Sequence, residues 1–359
     1  MKRRDLLKGT SAVVGSVALA GAPAIVGAAN KIQWKMVTAW PKNFPGLGTG
    51  ANFLANLITE MSGGELEVKV YGAGELVPPF EVFDAVSKGT AQMGHAVSYY
   101  WKGKTEASQF FTCVPFGLNA QEMNSWLYHG GGLELWQELY APYSIVPAAG
   151  GNSGTQMAGW FNKEINSLED LKGLKMRIPG FAGDVFKRIG GTPVTIPAGE
   201  IFTALKSGVI DAAEWVSPYN DLAFGLYKAA KYYYYPGWHE PGPALEVLIN
   251  ETALKQLPKD MQSIVMNACR VANADMEAEF TARNSTALTT LKEKHGVQVK
   301  QLPDDVLRKL HQISTSVVQE LASKDKMAGK IHESVVNFQQ QSSSWLELSE
   351  HAYMLSRRI

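Results

Sequence analysis

Apolar and polar residues alternate in IQWKMVT (32–38), which predicts a strand, and GANFLANLITEMS (50–62) repeats its apolar residues at three and four, which predicts a helix. LEVKVY (66–71) alternates again, completing a βαβ unit. The pattern continues with a helix over 79–88 (PFEVFDAVSK) and a strand near 91–97. After the glycine-rich GGNSG of 150–154 comes another strand, TQMAGWF. Ser167, with Asp170 three positions on, caps a short helix in SLEDLKG. Two α/β lobes follow from this pattern, with GGNSG as the first crossover between them.

LKMRIPGF (174–181) places Leu174, Met176 and Ile178 on one strand face and Lys175 and Arg177 on the other, before Pro179-Gly180 ends the strand. One face packs and the other looks outward. From 258 to 295 there is no internal proline or glycine, and the apolar spacing predicts one long helix, with Asn284-Ser285-Thr286 as the place where it would break. A short strand at VQVKQL and helices over 303–323 and 327–356 complete a largely helical C-terminal quarter. Its apolar stripes call for packing across the lobes or against a second subunit.

The first residues do not share this patterning. MKRRDLLKG is basic, TSAVVGSVALAGAPAIVGAA is weakly apolar and small, and Val26-Gly27-Ala28 offers a cleavage site, so 1–28 reads as a signal peptide. Arg3-Arg4 followed by Asp5-Leu6-Leu7-Lys8 has the form of a twin-arginine signal. Removing this segment takes four of the 34 basic and one of the 34 acidic residues, leaving 30 against 33. That balance points to no nucleic-acid partner. No later apolar run is long enough to span a bilayer, so the mature chain is expected to be soluble in an exported compartment. Cys113 and Cys269 are too few for a disulfide framework and leave one bridge open.

Gly46-Leu47-Gly48-Thr49-Gly50-Ala51 fits a dinucleotide fingerprint and supports an alternative reading, an exported dinucleotide-dependent oxidoreductase. Against it, the loop WPKNFP separates the glycines from the preceding strand, whereas that fingerprint needs its turn at the strand end. Hydrolase, phosphate-loop and zinc-protease motifs are absent, and the seven histidines show no metal spacing. His95 and His129 read as hydrogen-bonded structural residues. Glu214 and Glu240 form a carboxylate pair without a neighbouring nucleophile, which points to cation binding before acid–base work.

PAGEIFTALKSGVIDAAEWVSP (197–218) and YYYYPGWHEPG (232–242), together with AGELVPPFEVFDAVSKGTAQMGHAVSYYW, VPFGLNAQE, GGNSGTQMAGWF and LKGLKMRIPGFAG, resemble the substrate-binding proteins of tripartite ATP-independent periplasmic (TRAP) transporters, the DctP-like family. The likeness covers essentially the whole mature chain and is nearest to the branch that binds 2-oxo acids. It implies an α/β, two-lobed periplasmic binding protein fold with a ligand cleft between lobes and long C-terminal helices. Lobe I would comprise 29–153 and about 243–280, lobe II 154–242 and about 281–325, with 326–359 a terminal helix. It further implies a non-enzymatic receptor in the periplasm that captures a small carboxylate, such as pyruvate, and delivers it to membrane permease subunits.

By the same resemblance Arg177 grips the carboxylate, whose two oxygens a planar guanidinium can hold at once, and Gln156 touches the ligand. Glu214, the Trp215 carbonyl and Glu240 hold a cation, Na⁺ by analogy or Ca²⁺ as the alternative, both suited to oxygen donors. Tyr99, Tyr100, Trp101 and Phe181 are expected pocket walls. His239 and Pro241 depart from the aromatic residue and glycine expected beside Glu240 in that branch.

Overall fold

The computed structural model describes residues 31–359, so the signal-peptide reading at 1–28 lies outside the described residues. In chain order the strands are β1 (Ile32–Thr38), β2 (Leu66–Tyr71), β3 (Met93–Ala96), β4 (Ile145–Asn152), β5 (Gly159–Phe161), β6 (Lys175–Arg177), β7 (Thr192–Val194), β8 (Ala212–Ala213), β9 (Tyr232–Tyr235), β10 (Ala244–Asn250) and β11 (Gln298–Gln301). They build two sheets, β2-β1-β3-β10-β4 and β11-β9-β5-β8-β6-β7.

Each sheet has one strand that runs against the others. β10 is antiparallel to β3 and β4, and β5 is antiparallel to β8 and β9. These are the strands that arrive straight from the other sheet. A strand reached through a helical crossover re-enters from the far edge and lies parallel, whereas one crossing the gap enters at the opposite end and runs back. The carboxyl ends of the parallel strands and the amino ends of β5 and β10 therefore meet in one place between the sheets. Open α/β sheets put their ligand sites at such carboxyl ends.

One face of the first sheet is covered by the helix Leu47–Met61 and by a long helix, Lys259–Glu293, whose Leu54, Ile58, Val265 and Cys269 are buried with Trp34 and Met36. That long helix runs unbroken for 35 residues, about 52 Å. Asn284 does not interrupt it, because its side-chain oxygen accepts from Ser217 Oγ at 2.9 Å and the Tyr219 N–H at 3.0 Å rather than competing for its own backbone. Helices follow at Asp304–Lys324 and Lys326–Leu346, with a π turn at Glu347–His351 and a last short helix, Ala352–Ser356. Among the described residues no helix is long and apolar enough to cross a membrane. Both cysteines are free and buried, which answers the open bridge.

Two local expectations change and a third, the helix entry at 46–51, holds. Gly150, Gly151 and Asn152 belong to β4 and not to a crossover loop; a Cβ on Gly150 would fall 2.2 Å from Val247 of β10, so the glycine lets two strands' contents pack. TQMAGWF keeps strand pairing only at Gly159–Phe161. Its residues 156–158 instead give their N–H groups to Glu240, Val216 and Tyr234 carbonyls at 3.1, 3.1 and 2.8 Å. The segment that resembles a dinucleotide loop is a helix entry: the helix begins at Leu47, well past the end of β1, and a Cβ on Gly50 would fall 2.4 Å from Met276 of the long helix. Ser167 behaves as expected, its N–H donating to Asp170 at 2.9 Å.

His95 on β3 ties the sheet to its edge loop. Its Nδ1 accepts from the Trp40 indole at 2.7 Å, which leaves Nε2 to donate to the Gly150 carbonyl at 3.1 Å. Burial holds this imidazole down at about 4, although the Gly150 carbonyl pulls the other way. In the unfolded chain it would titrate near 6.5. Between those values the unfolded chain binds the extra proton, so this contribution to stability is complete above about pH 6.5 and is lost as pH falls toward about 4. Denaturant unfolding across that window is expected to show a shallower pH slope in His95→Gln than in the wild type. Equal slopes would show that His95 is not held neutral.

Candidate functional site

β6 ends on Arg177, and the alternation that exposes Lys175 turns Arg177 into the gap between the sheets, where it is fully buried. Its Nη1 donates to the Glu214 carboxylate and, at 3.2 Å, to the Glu214 carbonyl, while Nη2 donates to the Tyr100 hydroxyl at 3.2 Å. The guanidinium lies 5.3 Å from the Trp215 ring. Burial alone would lower its pKa, but Glu214 and the adjacent tyrosines outweigh it and the net shift is upward. The Nε–Nη2 edge carries only the Tyr100 hydroxyl, since Nε has no partner.

β8 ends immediately before Glu214 and Trp215, and the turn after β9 brings in His239 and Glu240. Glu214, His239 and Glu240 are all buried and can each offer one ligand atom within 4.8 Å of the others. His239 Nε2 stands 3.4 Å from Glu214 Oε2, yet neither atom makes a hydrogen bond, so this is proximity and not a formed pair. Burial, and then repulsion from Glu214, push the Glu240 carboxyl well above the usual range. A buried anion in that position calls for a cation or a proton.

The cluster adjoins a small cavity of about 20 Å³, whose wall includes Trp40, Tyr99, Tyr100, Gln156, Trp215 and Glu240. Both sheets contribute to that wall. Gln156 is fixed by its Nε2, which donates to Ser153 Oγ at 3.2 Å, and by its own N–H on the Glu240 carbonyl, leaving Oε1 unpartnered. Tyr100 has its phenol pushed up to about 12 by burial. A larger groove, about 920 Å³, lies along the long helix, but it is open to solvent and its polar groups, such as Tyr219 on Glu279 at 2.9 Å and Arg283 on Glu279 at 3.0 Å, satisfy one another.

Of the residues singled out in the sequence, Arg177, Gln156, Tyr100, Glu214, Trp215 and Glu240 come together here. Phe181 does not. It packs edge-on against Phe110, ring centroids 5.1 Å apart, and takes no part in the cavity wall, because the helix starting at Gly180 turns it into the core. Trp101 also faces inward, its indole bonded to Glu246. Arg177 itself stands behind Tyr100 and Trp215 and does not reach the wall in this conformation. The sequence does not single out Trp40 or Ser153 and marks His239 only as a departure; a histidine beside a buried acid is the available signal.

Six buried polar atoms without partners gather in this one region: Gln156 Oε1, Arg177 Nε, Glu214 Oε2, Trp215 Nε1 and both ring nitrogens of His239. Buried polar groups are nearly always satisfied, so such a concentration fits a site built around a polar guest. The carboxylate, amide and carbonyl oxygens suit a hard cation.

The profile of the family described as "Bacterial extracellular solute-binding protein, family 7" matches residues 36–325. A curated relative in Nostoc sp., named a monocarboxylate 2-oxoacid-binding periplasmic protein, is 43% identical over 360 residues, covering 98% of each chain. Among solved structures, a TRAP periplasmic solute-binding protein of Colwellia psychrerythraea with bound calcium and pyruvate superposes with a TM-score of 0.88 at 43% identity, covering 91% of this chain and 99% of that one. One from Pseudoalteromonas atlantica, with bound sodium and pyruvate, gives a TM-score of 0.88 at 42% identity with the same coverage. With the profile spanning most of its length and a relative matching it from end to end, this chain belongs to the family 7 extracellular solute-binding proteins, the DctP-type receptors of TRAP transporters.

Proposed function

We propose that this chain captures a small 2-oxo monocarboxylate together with a cation and passes it to membrane permease subunits. The observation that carries this reading is the gathering of unpartnered buried polar atoms around Arg177, Glu214 and Glu240. The names of the Nostoc relative and of the pyruvate-bound structures support it. Arg177 would take the carboxylate along its Nε–Nη2 edge, displacing or sharing the Tyr100 hydroxyl, with Gln156 and Tyr100 beside it. Glu214, Glu240 and the Trp215 carbonyl would hold the cation, which offers the 2-oxo oxygen a second anchor. Phe181 is not carried into this assignment. The lobes are proposed as 29–153 with about 243–280 and 154–242 with about 281–325, a division that the membership of the two sheets supports.

Charge bears on the choice of cation. Two glutamates, the bound acid and Arg177 sum to −2, so Ca²⁺ neutralises the site and Na⁺ leaves −1. The resemblance favours Na⁺ with Ca²⁺ as the alternative, and the burial of these groups adds an argument for Ca²⁺, because residual charge is costly away from water; structures of similar proteins hold either ion with pyruvate.

Calorimetric titration of the mature protein tests the reading. Affinity is expected to fall from 2-oxo acid to 2-hydroxy acid to unsubstituted acid of equal length. Arg177→Ala should lose about 30- to 4000-fold, corresponding to about 2–5 kcal/mol for a buried charge left unpaired. Glu214→Gln should weaken cation and acid together. Equal affinities across the series, or acid binding that chelators leave unchanged, would overturn the shared site.

Two further parts of the proposal concern export and assembly. Paired arginines are read as such by their export route, so changing Arg3 and Arg4 to Lys is expected to leave precursor in the cytoplasm; normal processing would rule that route out. The C-terminal helices leave Trp345 and Leu348 66% and 78% exposed, with Tyr353, Met354 and Leu355 also out in solvent, a face suited to a second copy of the chain. Light scattering should give a dimer for the mature chain and a monomer for one ending at 343. The same mass for both would remove the helices from any interface.

A further inference from the structure

Apart from the cleft cluster, two carboxyls among the described residues are at most 1% exposed with no cationic side chain bonded to them. Glu246, on β10, is fully buried and accepts from Tyr140 Oη at 3.0 Å, Ser98 Oγ at 3.2 Å and the Trp101 indole. Asp221, in the helix Pro218–Phe224, is 1% exposed and accepts from Tyr233 Oη at 2.6 Å, the Trp160 indole at 2.9 Å and the Val216 N–H at 3.2 Å. The two stations are alike. Each takes one indole, one phenol and a third donor, and each belongs to a different sheet's side of the cleft.

What the donors are attached to gives the arrangement its meaning. Ser98 and Trp101 bracket Tyr99 and Tyr100, both of which line the cavity. Val216 follows Trp215 and Glu214, and Val216 and Trp215 line the cavity from the other side. Neither Glu246 nor Asp221 belongs to that lining. An apolar side chain would fill such a core position at less cost than an unpaired carboxyl, so stability alone does not account for either group. A carboxylate can collect three donors and fix three segments at once, which an apolar side chain cannot.

We propose that Glu246 and Asp221 are paired positioning residues, one per lobe: Glu246 sets the Tyr99–Tyr100 turn that meets the organic acid, and Asp221 sets the Glu214–Val216 segment that meets the cation. This rests on the 2-oxo acid and cation reading above. Neither residue touches a ligand, and each acts through the donors it holds. Burial pushes both carboxyls up to about 7, in line with groups whose acceptors are filled by neutral donors only.

The test separates the two halves of the site. Glu246→Gln and Asp221→Asn keep shape but turn one acceptor into a donor facing donors. Calorimetry on the mature protein would measure Ca²⁺ alone, then pyruvate at saturating Ca²⁺. Glu246→Gln is expected to weaken pyruvate about tenfold or more while Ca²⁺ alone stays within about twofold; Asp221→Asn should weaken Ca²⁺ alone by about tenfold. Should either variant fail to fold, Ser98→Ala and Tyr233→Phe each remove one donor and leave the carboxyl, and are expected to show the same split at smaller size. Lowered melting temperatures with wild-type affinities, or both ligands weakened alike by either change, would overturn the assignment. A wild type that binds neither Ca²⁺ nor pyruvate would instead overturn the functional reading on which it stands.

Discussion

A single buried cation, Arg177, faces two buried carboxylates at the meeting point of the sheets, and the rest of the structure is arranged around that imbalance. Charge withdrawn from water must be compensated nearby. Arg177 pairs with one oxygen of Glu214 and leaves the other, together with Glu240, whose carboxyl is driven upward by burial and by Glu214 itself. The site is thus short of positive charge when it holds only protein atoms. That shortage, more than any one contact, is what prepares the cleft for a metal ion and an anion arriving together, and it explains why donors from β6, β8 and the turn after β9 are brought to one spot.

The layout of the strands follows from the same need. Groups from both sheets can converge only if the functional ends of the strands point at each other, and the two reversed strands, β5 and β10, make this possible by carrying the chain directly across the gap. The irregular stretch 156–158 is part of that passage. Its N–H groups bond to the segments bearing Val216 and Glu240, so Gln156 is placed by backbone from the opposite end of the site.

Much of this was legible in the sequence because it depends on local periodicity. The βαβ start, the long helix near 258–295 and the C-terminal helices could be read from apolar spacing, and Arg177 stood out as a charge within a short apolar strand. What could not be read depends on contacts between distant segments. Gly150 looks like a loop residue until Val247 is seen against it. Phe181 looks like a cleft aromatic until the helix after Pro179 turns it onto Phe110. Glu246 is a lone charge in the wholly buried strand ALEVLIN and Asp221 sits in a short helix, neither in a motif, and only the donors arriving from 98–101, 140, 160, 216 and 233 reveal what they do. His239 shows the intermediate case: its oddity was visible, while its place beside Glu214 was not.

The position of β10 also has a consequence for the order in which the molecule can be made. It lies between β3 and β4, so the first sheet has a missing member until residues 244–250 leave the ribosome, long after its other four strands have emerged. At a synthesis rate of about 5–20 residues per second, β4 waits roughly 5–20 seconds for the strand that will join it to β3. The amino-terminal half therefore cannot mature first and serve as a template for the remainder. The nascent chain must carry an incomplete sheet, with the unpaired edges of β3 and β4 exposed, through the synthesis of nearly the entire second lobe, and any partner that guards it in the cell must act during that interval.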